Sequence, residues 1–71
     1  MRDTLDTVAR LVRDRRKSLR LRQSDLANLA GCSVRTIYAL EEGKSTLRLD
    51  KLLDVLDVLG LELRIEPRHP E

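Results

Sequence analysis

Residues 23–44 read QSDLANLAGCSVRTIYALEEGK, and this stretch decides the fold. The apolar residues of the first part recur at helical spacing, and Gly31 follows where a left-handed residue ends a helix. Ser33 is a suitable N-cap for a second helix, which runs to about Glu41 and stops before Gly43. Two short helices joined by a tight, glycine-containing turn predict a helix-turn-helix unit.

The flanking segments predict two further helices. One runs from about Thr4 to Leu19, and the other starts between Thr46 and Leu49 and ends at Gly60. In the second of these, one leucine stripe is expected to face the core, and Val55 and Val58 are expected to lie off it and contact something else. The members of that stripe are Leu49, Leu52, Leu53, Leu56 and Leu59.

Residues 61–66, LELRIE, alternate strictly between apolar and charged side chains and are closed by Pro67, which predicts a strand. A lone strand leaves its backbone groups unpaired, so pairing with the same strand of a second subunit across a two-fold axis is preferred. The alternative is that the segment packs back on its own helices. The predicted dimer interface consists of Val55, Val58, Leu61, Leu63 and Ile65.

These segments together predict a mainly α fold of four to five helices with one C-terminal strand. The chain is expected to form one domain over residues 1–71, with a core of about 5–60, a dimerising strand of about 61–66 and a tail of 67–71.

Positive charge is concentrated near the start of the chain. The 71 residues carry 14 basic and 12 acidic side chains, but residues 1–22 alone carry eight basic against three acidic ones, a local charge of +5. A local excess of this kind indicates an anionic partner, although a solvated basic helix end is an equal alternative.

Composition excludes several classes of protein. One cysteine and one histidine can form neither an internal disulfide nor a structural zinc site, and Cys32 is interpreted as a small apolar turn residue. No apolar run is long enough for a membrane span or a signal peptide, so we expect no membrane partner and a cytoplasmic location. No nucleophile–base pair or phosphate-cradling glycine loop is present, so we expect no enzymatic activity, no metal and no cofactor.

The helix-turn-helix stretch resembles that of the Xre/Cro/C1 family of phage-type repressors. The resemblance rests on Gln23, Leu26, Ala27, Gly31, Ser33, Ile37, Leu40, Glu41 and Gly43. The part from Ser45 through the leucine-rich helix to Ile65 is similar to the HipB-type branch. Proteins of that branch are dimeric antitoxins that repress their own promoter and pair their C-terminal strands between subunits.

The resemblance implies a nucleoid-associated repressor that binds an inverted repeat in double-stranded DNA as a homodimer, with a HipA-like toxin kinase as a further partner. A repressor without a toxin and a protein-interaction module with weak DNA binding are the alternatives. The implied base-reading residues are Val34, Arg35, Tyr38 and Ala39. The implied phosphate contacts are Gln23, Ser33, Thr36, Lys44, Ser45, Arg16 and Arg22.

Four residues raise specific expectations. In related repressors the residue matching Glu41 pairs with an arginine of the first helix, which is Arg16 here. Arg20 stands where the family often has glycine, so we expect a left-handed residue there at a cost of about 1 kcal/mol. Arg22 stands where serine or threonine would cap the second helix, so we expect the side-chain cap to be lost at a cost of about 1 kcal/mol.

Overall fold

The computed structural model describes residues 2–44 and 47–68. Within these residues the chain forms four helices and no strand, so the mainly α class is confirmed. The helices are α1 (Arg2–Ser18), α2 (Gln23–Ala30), α3 (Val34–Glu41) and α4 (Leu49–Leu59). None of the described helices is both long and apolar enough to cross a bilayer.

The turn between α2 and α3 follows from local chemistry. Gly31 is left-handed at φ +73°, and its conformation lets the Cys32 amide donate to the Ala27 carbonyl at 3.0 Å. The Ser33 hydroxyl then accepts from the Thr36 amide at 3.1 Å, which caps α3 as predicted. Both ends of the turn are therefore closed by hydrogen bonds.

Arg20 is the one non-glycine residue with a positive φ in the described part of the chain, at +60°, as predicted. Its amide donates to the Lys17 carbonyl at 2.9 Å, and the Leu21 amide donates to the Arg16 carbonyl at 3.1 Å. These two bonds satisfy carbonyls at the end of α1 in the usual glycine-terminated manner, although an arginine occupies the strained position.

All four helices contribute to one hydrophobic core, in which α2 packs against α3 and α4, and α1 packs against α3 and α4. Cys32 packs half-buried at its edge, consistent with a small apolar turn residue. The buried core residues are Val12, Leu26, Ala27, Ala30, Ile37, Leu40, Val55, Leu56 and Leu59.

The predicted orientation of α4 is right for Leu52, Leu56 and Leu59, which face the core, and wrong for Val55, Leu49 and Leu53. Val55 is fully buried in its own subunit and cannot belong to a dimer interface, whereas Leu49 and Leu53 are exposed. The apolar arc of α4 is wider than the surface it packs on, and the helix packs with the middle of that arc. Helical rotation places Leu59 near that middle with Val55 beside it, and leaves Leu49 and Leu53 at the edge.

The chain after α4 is irregular. The Leu61 amide donates to the Leu56 carbonyl at 2.8 Å, and the Leu61 side chain is half-buried against the core, as is Val58. Residues 62–68 are exposed. The predicted strand has no pairing partner among the described residues, and packing back on the subunit's own helices accounts for Leu61 but not for Ile65.

The observed orientation of α4 predicts a large loss of stability for one leucine variant and almost none for another. Leu59→Ala removes a fully buried side chain and is expected to lower the free energy of unfolding by about 2–5 kcal/mol. Leu53→Ala, on the exposed edge, is expected to change it by less than about 0.5 kcal/mol. Urea unfolding followed by circular dichroism measures both. Equal losses in the two variants would contradict the orientation described.

Candidate nucleic-acid interface

A buried ion pair joins α1 to the end of α3. Arg16 Nε donates to Glu41 Oε2 at 2.7 Å and Nη2 donates to Oε1 at 3.0 Å, while the two side chains are only 11% and 4% exposed. Arg16 Nη1 also donates to the Leu21 carbonyl at 2.9 Å. Hydrogen bonding to Glu41 raises the pKa of the Arg16 guanidinium. The pair expected from related repressors is therefore confirmed, and little of Arg16 is left to meet a phosphate.

Gln23, the first residue of α2, completes this cluster. Its Nε2 donates to Glu41 Oε1 at 3.1 Å, so one carboxylate binds the first helix, the start of the second and the end of the third. The sequence suggests only a phosphate contact for Gln23, and its bond to Glu41 was missed. This bond could have been expected, because an arginine occupies only part of the acceptor capacity of a carboxylate, and a buried Glu41 needs further donors.

The two faces of α3 are sharply different. Ile37 and Leu40 point into the core, whereas Val34, Arg35 and Tyr38 are exposed. Three of the four residues predicted to read bases therefore share the outer face of one helix.

The fourth predicted base-reading residue, Ala39, is recessed. It lines the wall of an open groove of about 250 Å³ together with Arg35, Thr36 and Lys44. The groove holds two cationic side chains and one hydroxyl beside the outer face of α3. This is a suitable arrangement for a phosphate next to a base edge.

The predicted phosphate contacts differ in how free they are. Lys44 is exposed, but its amide donates to the Ala39 carbonyl at 3.0 Å, so only its side chain is available. The Ser33 hydroxyl lies 3.0 Å from the Thr36 hydroxyl and already caps α3. Ser45 lies outside the described residues. These phosphate contacts stay predictions.

Arg22 caps α2 indirectly. An arginine side chain cannot accept the helical amides, but the Arg22 amide donates to Asp25 Oδ2 at 2.8 Å, and its guanidinium donates to both Asp25 oxygens at 3.2 Å. The guanidinium first, and then the amide, lowers the pKa of the Asp25 carboxyl. Part of the charge of Arg22 is thus compensated within the chain.

Two other cations bind helix ends. Arg15 Nε donates to the Leu59 carbonyl at 2.8 Å at the end of α4, and Lys51 Nζ donates to the Gly31 carbonyl at 3.1 Å after α2. Both contacts were missed from the sequence because they join distant segments. Of the basic side chains of residues 1–22, Arg16 is therefore buried within the fold, whereas Arg15 is exposed but tethered through one of its donors.

Comparison with known proteins agrees with this geometry. Residues 12–65 match the Helix-turn-helix family, and this range includes all of α2, α3 and α4. The chain is also similar to an uncharacterized HTH-type transcriptional regulator, y4mF, from Sinorhizobium fredii. The two are 45% identical over 58 residues, which are 82% of this chain and 76% of that protein.

The buried pair is expected to behave as one unit. Arg16→Ala and Glu41→Ala should each lower the free energy of unfolding by about 3–5 kcal/mol, because each leaves a buried charge without its partner. The double variant should lose clearly less than the sum of the two. Urea unfolding gives all three values. Additive losses would contradict the coupling, and Arg48→Ala, at an exposed ion pair, serves as the control with little change.

The Asp25 contacts predict a pH dependence. Because its pKa is lowered in the folded chain, Asp25 stabilises the protein fully above about pH 4 and loses that effect as pH falls through the folded pKa. The difference in stability between wild type and Asp25→Asn should therefore be constant near neutrality and shrink in acid. Urea unfolding from pH 7 to pH 3 tests this.

The same titration in an Arg22→Ala background is the control. Without the guanidinium the difference made by Asp25→Asn should be smaller throughout. A difference that grows as the pH falls would contradict the role given to Asp25.

Proposed function

This chain belongs to the helix-turn-helix family of the Xre/Cro/C1 type, and from that premise we propose that it is a dimeric, sequence-specific repressor of transcription. Membership of the family and the relative named as a transcriptional regulator support a DNA-binding regulator of transcription. The finer proposal is that two copies bind an inverted repeat in double-stranded DNA, each placing α3 in the major groove.

One observation carries the proposal, the contrast between the two faces of α3. The helix presents Val34, Arg35 and Tyr38 outward while Ile37 is fully buried. A recognition helix needs this division, because its inner face must fix its position while its outer face approaches base edges.

Each outward residue has a chemistry suited to base reading. Arg35 offers two parallel N–H donors to O6 and N7 of guanine, the commonest specific contact in the major groove. Val34 offers an apolar surface to a thymine methyl group, and Tyr38 offers a hydroxyl to a base edge or a phosphate. The recessed Ala39 lets the groove wall approach the duplex.

The part of the affinity that does not depend on the DNA sequence comes from contacts with phosphates around α3. Lys44 and Thr36 border the groove beside Arg35, and Gln23 lies at the amino end of α2, where helix amides favour an anion. If each subunit neutralises about four phosphates, the logarithm of the binding constant should fall with the logarithm of salt concentration at a slope of about −7.

We further propose that the repressor is the antitoxin of a HipB-like module and regulates its own operon. The similarity of the C-terminal half to that branch supports this, and the toxin would be a HipA-like kinase. Leu49 and Leu53 are exposed on α4, which favours a protein partner as well as DNA. The expected location is the nucleoid in the cytoplasm.

Selection of bound duplexes from a random library at physiological salt tests the proposal, using protein whose mass in solution has been measured. An inverted repeat with half-sites about one helical turn apart is the expected result. A single half-site bound by a monomer would contradict the dimer. No enriched sequence from folded protein would contradict the repressor and favour the protein-interaction module.

Alanine substitutions of Arg35 and Lys44 are expected to change DNA binding in different ways. Arg35→Ala should cost about 1–3 kcal/mol at one base position and relax specificity there, because it removes a bidentate contact to a base. Lys44→Ala should weaken cognate and scrambled DNA about equally. Binding titrations on both duplexes measure this. Equal losses on the two duplexes for Arg35→Ala would contradict its base-reading role.

A further inference from the structure

In the segment after α4, the apolar side chains become more exposed from one to the next along the chain. Leu61 is half-buried, Leu63 is 42% exposed and Ile65 is 88% exposed. Among the described residues, no backbone hydrogen bond joins residues 62–68 to each other or to the rest of the chain. From Glu62 onward the backbone groups are thus without partners within the described chain, and the side chain of Ile65 is nearly bare.

An apolar groove of about 160 Å³ lies next to this segment, between α1 and α4. An engineered apolar cavity of about 150 Å³ holds one benzene molecule, so the groove has room for one large aliphatic side chain but not for a typical ligand. The residues that line it include Val8 and Leu11 from α1, Leu52 and Leu56 from α4, and Leu61 and Leu63.

We propose that residues 61–65 of two copies pair antiparallel about a two-fold axis that passes through Leu63. Leu63 then faces Leu63 of the second copy, and Leu61 faces Ile65 of the second copy. Each Ile65 comes to lie beside the second copy's Leu61, over its groove. This inference rests on the dimer proposed above and specifies its register.

Side-chain parity restricts the possible registers. Residues directly opposite each other in an antiparallel pair lie on the same face, so apolar residues must face apolar residues. The two-fold axis must therefore pass through a residue and not between two. Within the alternating segment the candidate centres are Glu62, Leu63, Arg64 and Ile65.

Charge selects among these centres. An axis at Leu63 places Glu62 opposite Arg64 of the second copy, and symmetry repeats this favourable pair. An axis at Arg64 would place two arginines face to face and Glu62 opposite Glu66, and an axis at Glu62 would place two glutamates face to face. Like charges directly opposite are destabilising.

An axis at Ile65 is the remaining competitor. It would also pair opposite charges, Arg64 with Glu66 and Glu62 with Arg68. However, it would place Pro67, which has no amide hydrogen to donate, opposite Leu63 and would leave Leu61 without an apolar partner. The axis at Leu63 instead gives every apolar residue of the segment an apolar partner.

Disulfide cross-linking tests the register directly. In a Cys32→Ala background, Leu63→Cys should form an intermolecular disulfide fastest, because opposed residues have Cα atoms about 4.5–5.5 Å apart, within disulfide range. Ile65→Cys should be slow, because the two copies of residue 65 are offset by four residues, about 14 Å along the strands. Faster cross-linking of Ile65→Cys or Arg64→Cys would overturn the register.

Reversing the charges of Glu62 and Arg64 gives an independent test. Both side chains are exposed in the single chain, so the substitutions should not disturb its fold. Glu62→Lys and Arg64→Glu should each raise the dissociation constant of the dimer about tenfold, and the double variant should restore it. Arg68→Glu is the control and should have no effect, whereas with an axis at Ile65 it would weaken the dimer and the double exchange would not rescue. Sedimentation equilibrium measures each constant, and thermal melts confirm folding.

The outcomes separate this inference from the proposed function. A wild-type protein that stays monomeric overturns both the register and the dimer. A stable dimer that cross-links at another residue, or that the double exchange does not restore, overturns the register alone. A Leu63→Cys cross-link together with rescue supports the register, whatever DNA sequence is selected.

Discussion

The carboxylate of Glu41 is the point on which the arrangement of the helix-turn-helix depends. It accepts from Arg16 in α1 and from Gln23 at the start of α2, while it stands itself at the end of α3. Removing two charges from water is costly, so a buried pair is weak evidence for stability. Its stronger consequence is geometric, because the carboxylate meets both partners only while the end of α3 lies against α1 and the start of α2 together.

Fixing one face of α3 leaves the other face free for recognition. Arg35 and Tyr38 can point outward because Ile37 and Glu41 hold the helix from behind. The charge of the chain is divided in a similar way. Arg16 is buried in its pair with Glu41, and Arg15 and Lys51 each donate to a backbone carbonyl, so the chain itself holds these three cations in place.

Local signals made the helices and turns predictable from the sequence. Ser33 and Gly31 act within a few residues of themselves, and the structure has them as predicted. The left-handed Arg20 was expected only because related repressors often have glycine at that position. The mistake at Val55 arose because α4 is apolar over more than one face, and only its neighbours decide which part is buried.

Contacts between distant segments could not be predicted in the same way. The bonds from Arg15 to Leu59 and from Lys51 to Gly31 join residues far apart in sequence. The pair of Arg16 and Glu41 was expected only because related repressors have it. The strand is undecided within one chain for a different reason, because its hydrogen-bond partner would be a second copy.

Whether α3 is the helix that enters the DNA can be measured by titrating isotope-labelled protein with its selected duplex and following the amide chemical shifts. The largest changes are expected at Val34, Arg35, Tyr38 and Lys44, and little change is expected at core amides outside α3, such as those of Val12 and Leu59. Changes concentrated in α4 and residues 61–68, with α3 unaffected, would contradict this role of α3.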